Sequence, residues 1–116
     1  MIKHEAAMEI KDVPFTVVDW DKVEPEEHSG EKGKAIWKVF KKGNIRVRMV
    51  EYTPGYIADH WCKKGHVIFV LEGEMTTELK DGREFICKQG CSYQVDDYDG
   101  EHRTHTETGV KLFIVD

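Results

Sequence analysis

The sequence predicts an all-β protein, a single domain of short antiparallel strands closed into a barrel or packed as a sandwich. Three observations lead there. Short β-favouring runs recur along the chain, each followed by turn residues, which is the pattern of such architectures. No segment of ten or more residues carries an apolar stripe at the 3.6-residue helical period, so helix is minor. A chain of 116 residues also has room for one modest core and not for two.

The elements follow in order. Residues 1–12 read as a loose terminal arm, with Met8 as an alternative start, and residues 13–116 as the barrel domain. Phe15 to Val18 opens the strand pattern behind Pro14, and an acidic loop follows from Asp19 to about Gly33. Ala35 to Phe40 is a strand closed by the Gly43-Asn44 turn. Ile45 to Tyr52 begins as an alternation, Ile45, Val47 and Met49 against Arg46 and Arg48, the period of a half-buried strand. Pro54-Gly55 breaks it. Gly65 to Leu71 is a nearly continuous apolar strand that Gly73 is expected to end. Glu74 to Lys80 and Arg83 to Cys87 flank Asp81-Gly82, the strongest hairpin signal in the chain. Lys88-Gln89-Gly90 makes the next turn and Ser92 to Val95 the next strand. Asp96 to Glu101 is a polar loop, and Leu112 to Val115 is the last strand.

Composition narrows the function. With 40% apolar and 34% charged residues the chain is an ordinary globular protein. The net charge is −5, from 17 basic and 22 acidic side chains, and basic residues occur only in short pairs such as Lys41-Lys42 and Lys63-Lys64. That is no nucleic-acid-binding face, and an acidic balance does not recruit an anionic membrane. The longest apolar run, Val67 to Leu71, falls far short of the ~20 residues that span a bilayer. Three cysteines, Cys62, Cys87 and Cys91, with no signal peptide, point to a reducing cytoplasm.

One constellation carries chemistry. His60 and Cys62 lie two apart, so on an extended strand both leave the same face. His66 follows four residues later, across Lys63-Lys64-Gly65, and His102 lies far downstream. Imidazole and thiolate are ligands for zinc, copper, iron or nickel. The plain alternative is that each His is a satisfied polar residue and each Cys a small buried hydrophobe. Cys87 and Cys91 fit that alternative. His105 falls on the opposite strand face, and His4 and His28 lie in loops. Asp59 is a candidate acceptor for the His60 imidazole or a turn cap, and Trp61 a core or interface aromatic.

The stretch from Gly55 through His60, Cys62 and His66 to Gly73 resembles the first signature motif of the cupin superfamily: Gly, a short gap, His-x-His, three or four residues, Glu, six residues, Gly. Lys88-Gln89-Gly90, a strand and then His102 resemble the second motif. The Asp59-His60-Trp61-Cys62 run is similar to a small subgroup of cupins named for those four residue types. Cys62 stands where the second His is usual, His66 where the Glu is usual, and Lys88 where the proline is usual. The resemblance implies an RmlC-like jelly roll in which His60, His66, His102 and Cys62 occupy the four metal-ligand positions. Four ligands would make a closed, structural site. If Cys62 stands back, three His leave a position open to water or substrate, an arrangement that resembles the thiol dioxygenase cupins.

Inward strand residues would line the pocket: Met49 (or Arg48 in the other parity), Tyr52, Phe69, Tyr93 and Phe113. Val47 and Met49 are the obvious core side, which leaves Arg46 and Arg48 exposed. Were the arginines inward, a carboxylate- or phosphate-bearing ligand would suit them. Three readings follow: a metal-dependent enzyme acting on a small molecule in the barrel, a non-catalytic binding or sensor domain, and a metal-free cupin. Exposed sheet edges and the terminal arm also predict a homodimer.

Overall fold

The computed structural model describes residues 8–98 and 100–116. Residues 1–7 of the expected arm, His4 among them, and Asp99 of the expected polar loop lie outside the described residues. Among the described residues, eight strands follow a single 3-10 turn, Trp20–Lys22: β1 (Glu26–Ser29), β2 (Lys34–Lys42), β3 (Ile45–Tyr52), β4 (His66–Leu79), β5 (Glu84–Lys88), β6 (Ser92–Val95), β7 (His102–His105) and β8 (Val110–Val115). All the pairings are antiparallel, in the order β1-β2-β3-β8-β4-β5, with β6 and β7 also on β4. No helix among the described residues is long and apolar enough to cross a membrane.

The two hairpins form where turn chemistry demands them. Lys42 pairs with Ile45 over Gly43-Asn44, and Gly43 takes a φ of 53°, the left-handed region that glycine enters without steric cost. Glu78 pairs with Glu84 over Asp81-Gly82, where the Asp81 carboxylate accepts from the Arg83 amide and guanidinium.

Three expectations need correction. Phe15 to Val18 forms no strand: β-propensity without a neighbouring ladder does not make one, and Phe15 is 98% exposed. The acidic loop contains β1, because the His28 ring lies 4.0 Å from the Trp37 ring and Lys34 reaches Glu27 at 3.3 Å, pinning that segment to β2. Gly73 does not end β4. Its φ of 83°, beside a bulge between Val70 and Glu72, lets one long strand pass from the first sheet into the second. The first half of β4 pairs with β8 and β6, the second half with β5 and β7.

This bent strand fixes the register of the core. Val50, Leu112 and Val70 form one cross-strand row, and Arg48, Ile114 and Ile68 the next. Both rows are buried. Met75, Cys87 and Val110 complete the cluster. The alternate row, Met49, Phe113 and Phe69, lies on the other face, and Phe69 is 41% exposed. Leu112 is fully buried at the centre of these rows. Leu112→Ala is expected to cost about 2–5 kcal/mol in urea unfolding, and exposed Lys111→Ala less than about 0.5 kcal/mol.

Candidate metal centre

The site begins with a backbone pairing between remote stretches of chain. The Cys62 amide donates to the His102 carbonyl at 2.7 Å, and the His102 amide donates to the Cys62 carbonyl at 3.1 Å. These two bonds set Cys62 beside the first residue of β7. His66, the first residue of β4, reaches the same place from the neighbouring strand. The Cys62 Sγ and one ring nitrogen from each of His66 and His102 all lie within 4.8 Å of one another.

His60 does not join them. Residues 59–60 form a bend rather than an extended strand, so the two-residue spacing no longer puts His60 and Cys62 on one face. The His60 side chain is 74% exposed at the cavity rim, and its Nδ1 pairs with Asp59 Oδ1 at 2.6 Å. That hydrogen bond holds the Asp59 carboxyl below its usual range. Trp61 is half-buried, with Lys80 4.5 Å and Arg103 5.1 Å from its ring centre.

The protonation of the two converging rings follows from their partners. His102 Nδ1 lies 2.7 Å from the Gly100 carbonyl, which can only accept, so Nδ1 carries the proton. His66 Nδ1 lies 3.4 Å from Asp116 Oδ2. Burial would push the Asp116 carboxyl up, but His66, Arg46 and Arg48 together hold it well below the usual range, so it too only accepts. With Nδ1 engaged in both rings, the two Nε2 atoms face each other at 2.8 Å. A proton on one Nε2 makes this contact an N–H···N hydrogen bond, and without it both nitrogens are donors to a cation beside them. A carbonyl or carboxylate behind each imidazole is also the arrangement that orients metal-ligating histidines.

Cys62 supplies the third donor. The His102 ring lowers its thiol pKa below the usual value, with help from the Lys64 backbone and Arg48, although burial opposes them. For His102, burial lowers the pKa, but Cys62 and the Gly100 carbonyl outweigh it and the net shift is upward. Tyr93 stands edge-on to both imidazoles, at 6.2 and 5.8 Å. Its phenol is pushed up to about 12 by burial, against the Thr104 and Thr77 hydroxyls, and so stays a neutral wall.

The three donors open onto a cavity of about 230 Å³. Tyr52 and Tyr93 line it. Met49, Phe69 and Phe113 do not: they occupy the outward row, and the face expected to be solvated is the inner one. The expected parity of β3 is thus reversed, because its apolar phase covers the outside of the sheet while its charged phase builds the cavity floor. Arg46 forks onto the Asp116 carboxylate through Nε at 2.8 Å and Nη2 at 3.0 Å, and Arg48 Nη2 meets Asp116 Oδ2 at 2.8 Å. Trp37, Tyr56, Thr104 and Asp116 also line the cavity, and sequence reasoning did not single them out. The Arg46-x-Arg48 alternation carried a usable signal. Asp116 carried none.

Asp116 is expected to stabilise the fold in a pH-dependent way. Its folded pKa lies below the unfolded value of ~3.9, so its contribution is complete above that value and is lost as pH falls towards the folded pKa. Asp116→Asn should cost about 3 kcal/mol near neutral pH, since it leaves two buried or half-buried guanidiniums unpaired. Urea midpoints measured over a pH series should show this gap closing below about pH 4. A gap of constant size would contradict the ion-pair account.

No protein-family model matches the sequence, and no curated protein is similar to it. Solved structures are. An RmlC-like cupin from Shewanella frigidimarina is 19% identical, with 88% of this chain and 89% of that chain covered and a TM-score of 0.71. A predicted oxalate decarboxylase from Thermotoga maritima is 18% identical, with 86% and 96% covered and a TM-score of 0.69. The Fe(II) form of HppE is 16% identical, with 90% of this chain but 61% of that chain covered and a TM-score of 0.72. At these identities the likeness is one of architecture, and together with the strand order and the bent central strand it shows that this chain has the cupin fold.

Proposed function

We propose that this protein binds a divalent transition metal through Cys62, His66 and His102 and acts on a small molecule held in the adjoining cavity. The observation that carries the reading is the convergence of the Cys62 Sγ and one ring nitrogen of each of His66 and His102, all within 4.8 Å of one another, with an acceptor behind each ring. One thiolate and two imidazoles suit zinc, copper, iron or nickel better than manganese. With His60 paired to Asp59 at the rim, these three donors leave a coordination position for water or substrate, as catalytic sites do. A bound metal would supply Lewis acidity there. The protein's own part is to hold both rings in the Nδ1-protonated tautomer, through Gly100 and Asp116, and to wall the site with Tyr52 and Tyr93. The similar structures include the Fe(II) form of HppE, which agrees with a metal in this fold.

The wider reading is a cytoplasmic homodimer that binds neither nucleic acid nor membrane. Three free cysteines fit a reducing compartment. Val67, Phe69 and Leu71 are exposed along one face of β4, an apolar surface suited to a second copy of the chain.

Metal content is the first test. Protein purified without a nickel column and reconstituted at about pH 7.5, where the ligands deprotonate, should hold close to one ion per chain. Cys62→Ser, His66→Ala and His102→Ala should each lower affinity at least about tenfold, and His60→Ala should change it little. Less than about 0.2 ion per chain in the unaltered protein would end the metal reading. In a cobalt-loaded sample, thiolate charge-transfer bands should vanish in Cys62→Ser. Turnover that a chelator abolishes would mark an enzyme, and metal-dependent ligand binding without turnover a sensor. Light scattering at micromolar concentration should give twice the 13.5 kDa chain mass, and a monomer would count against the paired surface.

A further inference from the structure

The cavity floor carries one more positive charge than it can settle. Arg46 takes the Asp116 carboxylate as a two-pronged fork, and His66 leans on the same group. Arg48 shares that one carboxylate through Nη2 alone. Its residue is only 6% exposed, and its buried Nε has no acceptor among the described residues. The guanidinium carbon lies 4.4 Å from the Trp37 ring centre, so it packs over an aromatic ring. Arg46 keeps a third of its side chain in water, but the Arg48 guanidinium is buried with half a carboxylate for a partner, an arrangement that is costly unless an anion offsets it. Cys62 does not fill that place: its Sγ lies against the Lys64 carbonyl, and the Arg48 Nε has no partner, sulfur included, among the described residues. The other cations on the cavity wall already have acids: Lys64 pairs with Asp97 at 3.6 Å and Arg103 with Glu78 at 3.1 Å.

We propose that Arg48 is the binding site for an oxyanion, and that the ligand of this cavity is a small organic acid bearing a carboxylate or phosphate group. The inference rests on the cavity being the ligand site, and it specifies the class of molecule that enters. A guanidinium recognises either group through parallel N–H donors. Tyr52 stacks on Tyr56 at 4.2 Å and offers an apolar flank for the rest of the molecule. A volume of about 230 Å³ is below the 300–1,000 Å³ typical of drug-sized ligands, so the acid is small. The anion and the three metal donors face one hollow, which places the reactive end of the acid near Cys62, His66 and His102.

The test uses Trp37 as the reporter, in the full chain with Trp20→Phe and Trp61→Phe, so that Trp37 is the one remaining tryptophan. Sodium acetate and sodium phosphate are titrated separately into chelator-treated and zinc-loaded protein, against sodium chloride of equal ionic strength. A saturable fluorescence change with acetate or phosphate, present without zinc and weakened at least about tenfold in Arg48→Gln, supports the proposal. The tighter of the two probes identifies the group. Should Arg48→Gln not fold, Arg48→Lys keeps the charge and removes the fork, and a loss of at least about fivefold in affinity serves in its place. A response no larger than that to chloride overturns the proposal. So does one confined to zinc-loaded protein and indifferent to Arg48, which puts the anion on the metal and leaves the metal reading standing. Binding that depends on Arg48 in protein that takes up no zinc has the opposite meaning: the oxyanion site stands and the metal centre falls.

Discussion

The Asp116 carboxylate is shared by Arg46, Arg48 and His66, three side chains from two strands that meet at the end of β8. Buried carboxylates are costly unless paired and hydrogen-bonded, and this one is satisfied on both oxygens. Its backbone is tied in as well, by reciprocal hydrogen bonds with Arg46. Each partner gains something specific. Arg46 and Arg48 can face the interior of the barrel because an anion meets them there, and His66 gains an acceptor that dictates which ring nitrogen holds the proton.

That tautomer links the ion-pair cluster to the candidate metal centre. With Nδ1 committed to Asp116, His66 has Nε2 as its free donor atom, and His102 is committed in the same way by the Gly100 carbonyl. The two free nitrogens then confront each other over Cys62. Support for the rings thus comes from a carboxylate on one side and a main-chain carbonyl on the other. The aromatic wall of Tyr93 and the buried Thr77–Thr104 hydroxyl pair close the remaining side without adding charge.

The barrel also inverts the usual relation between polarity and depth. Met49, Phe113 and Phe69 lie along the outer surface of the first sheet, and Arg48 lies in the row that faces inward with Ile114 and Ile68. The outer face leaves apolar side chains of β4 exposed, and the inner face leaves one guanidinium half-paired. Both follow from one strand phase.

Most of the strands were legible from period and punctuation, since Gly43-Asn44 and Asp81-Gly82 name their hairpins and the long apolar run names the central strand, whereas the short polar β1 and β7 carry no such pattern. The grouping of Cys62, His66 and His102 was legible as a set of metal-ligand residue types, but the membership of His60 was not, because a bend at 59–60 cancels the strand parity from which it was inferred. Period-two alternation states that two faces differ and says nothing about which is inside. For β3 that choice was made by Asp116, 68 residues beyond Arg48, whose charge only the folded chain brings within 2.8 Å. Local pattern therefore determined the elements and the kinds of donor in this protein. Which side chains point at one another was decided by non-local register, where a single buried ion pair outweighs the hydrophobic preference of one strand face.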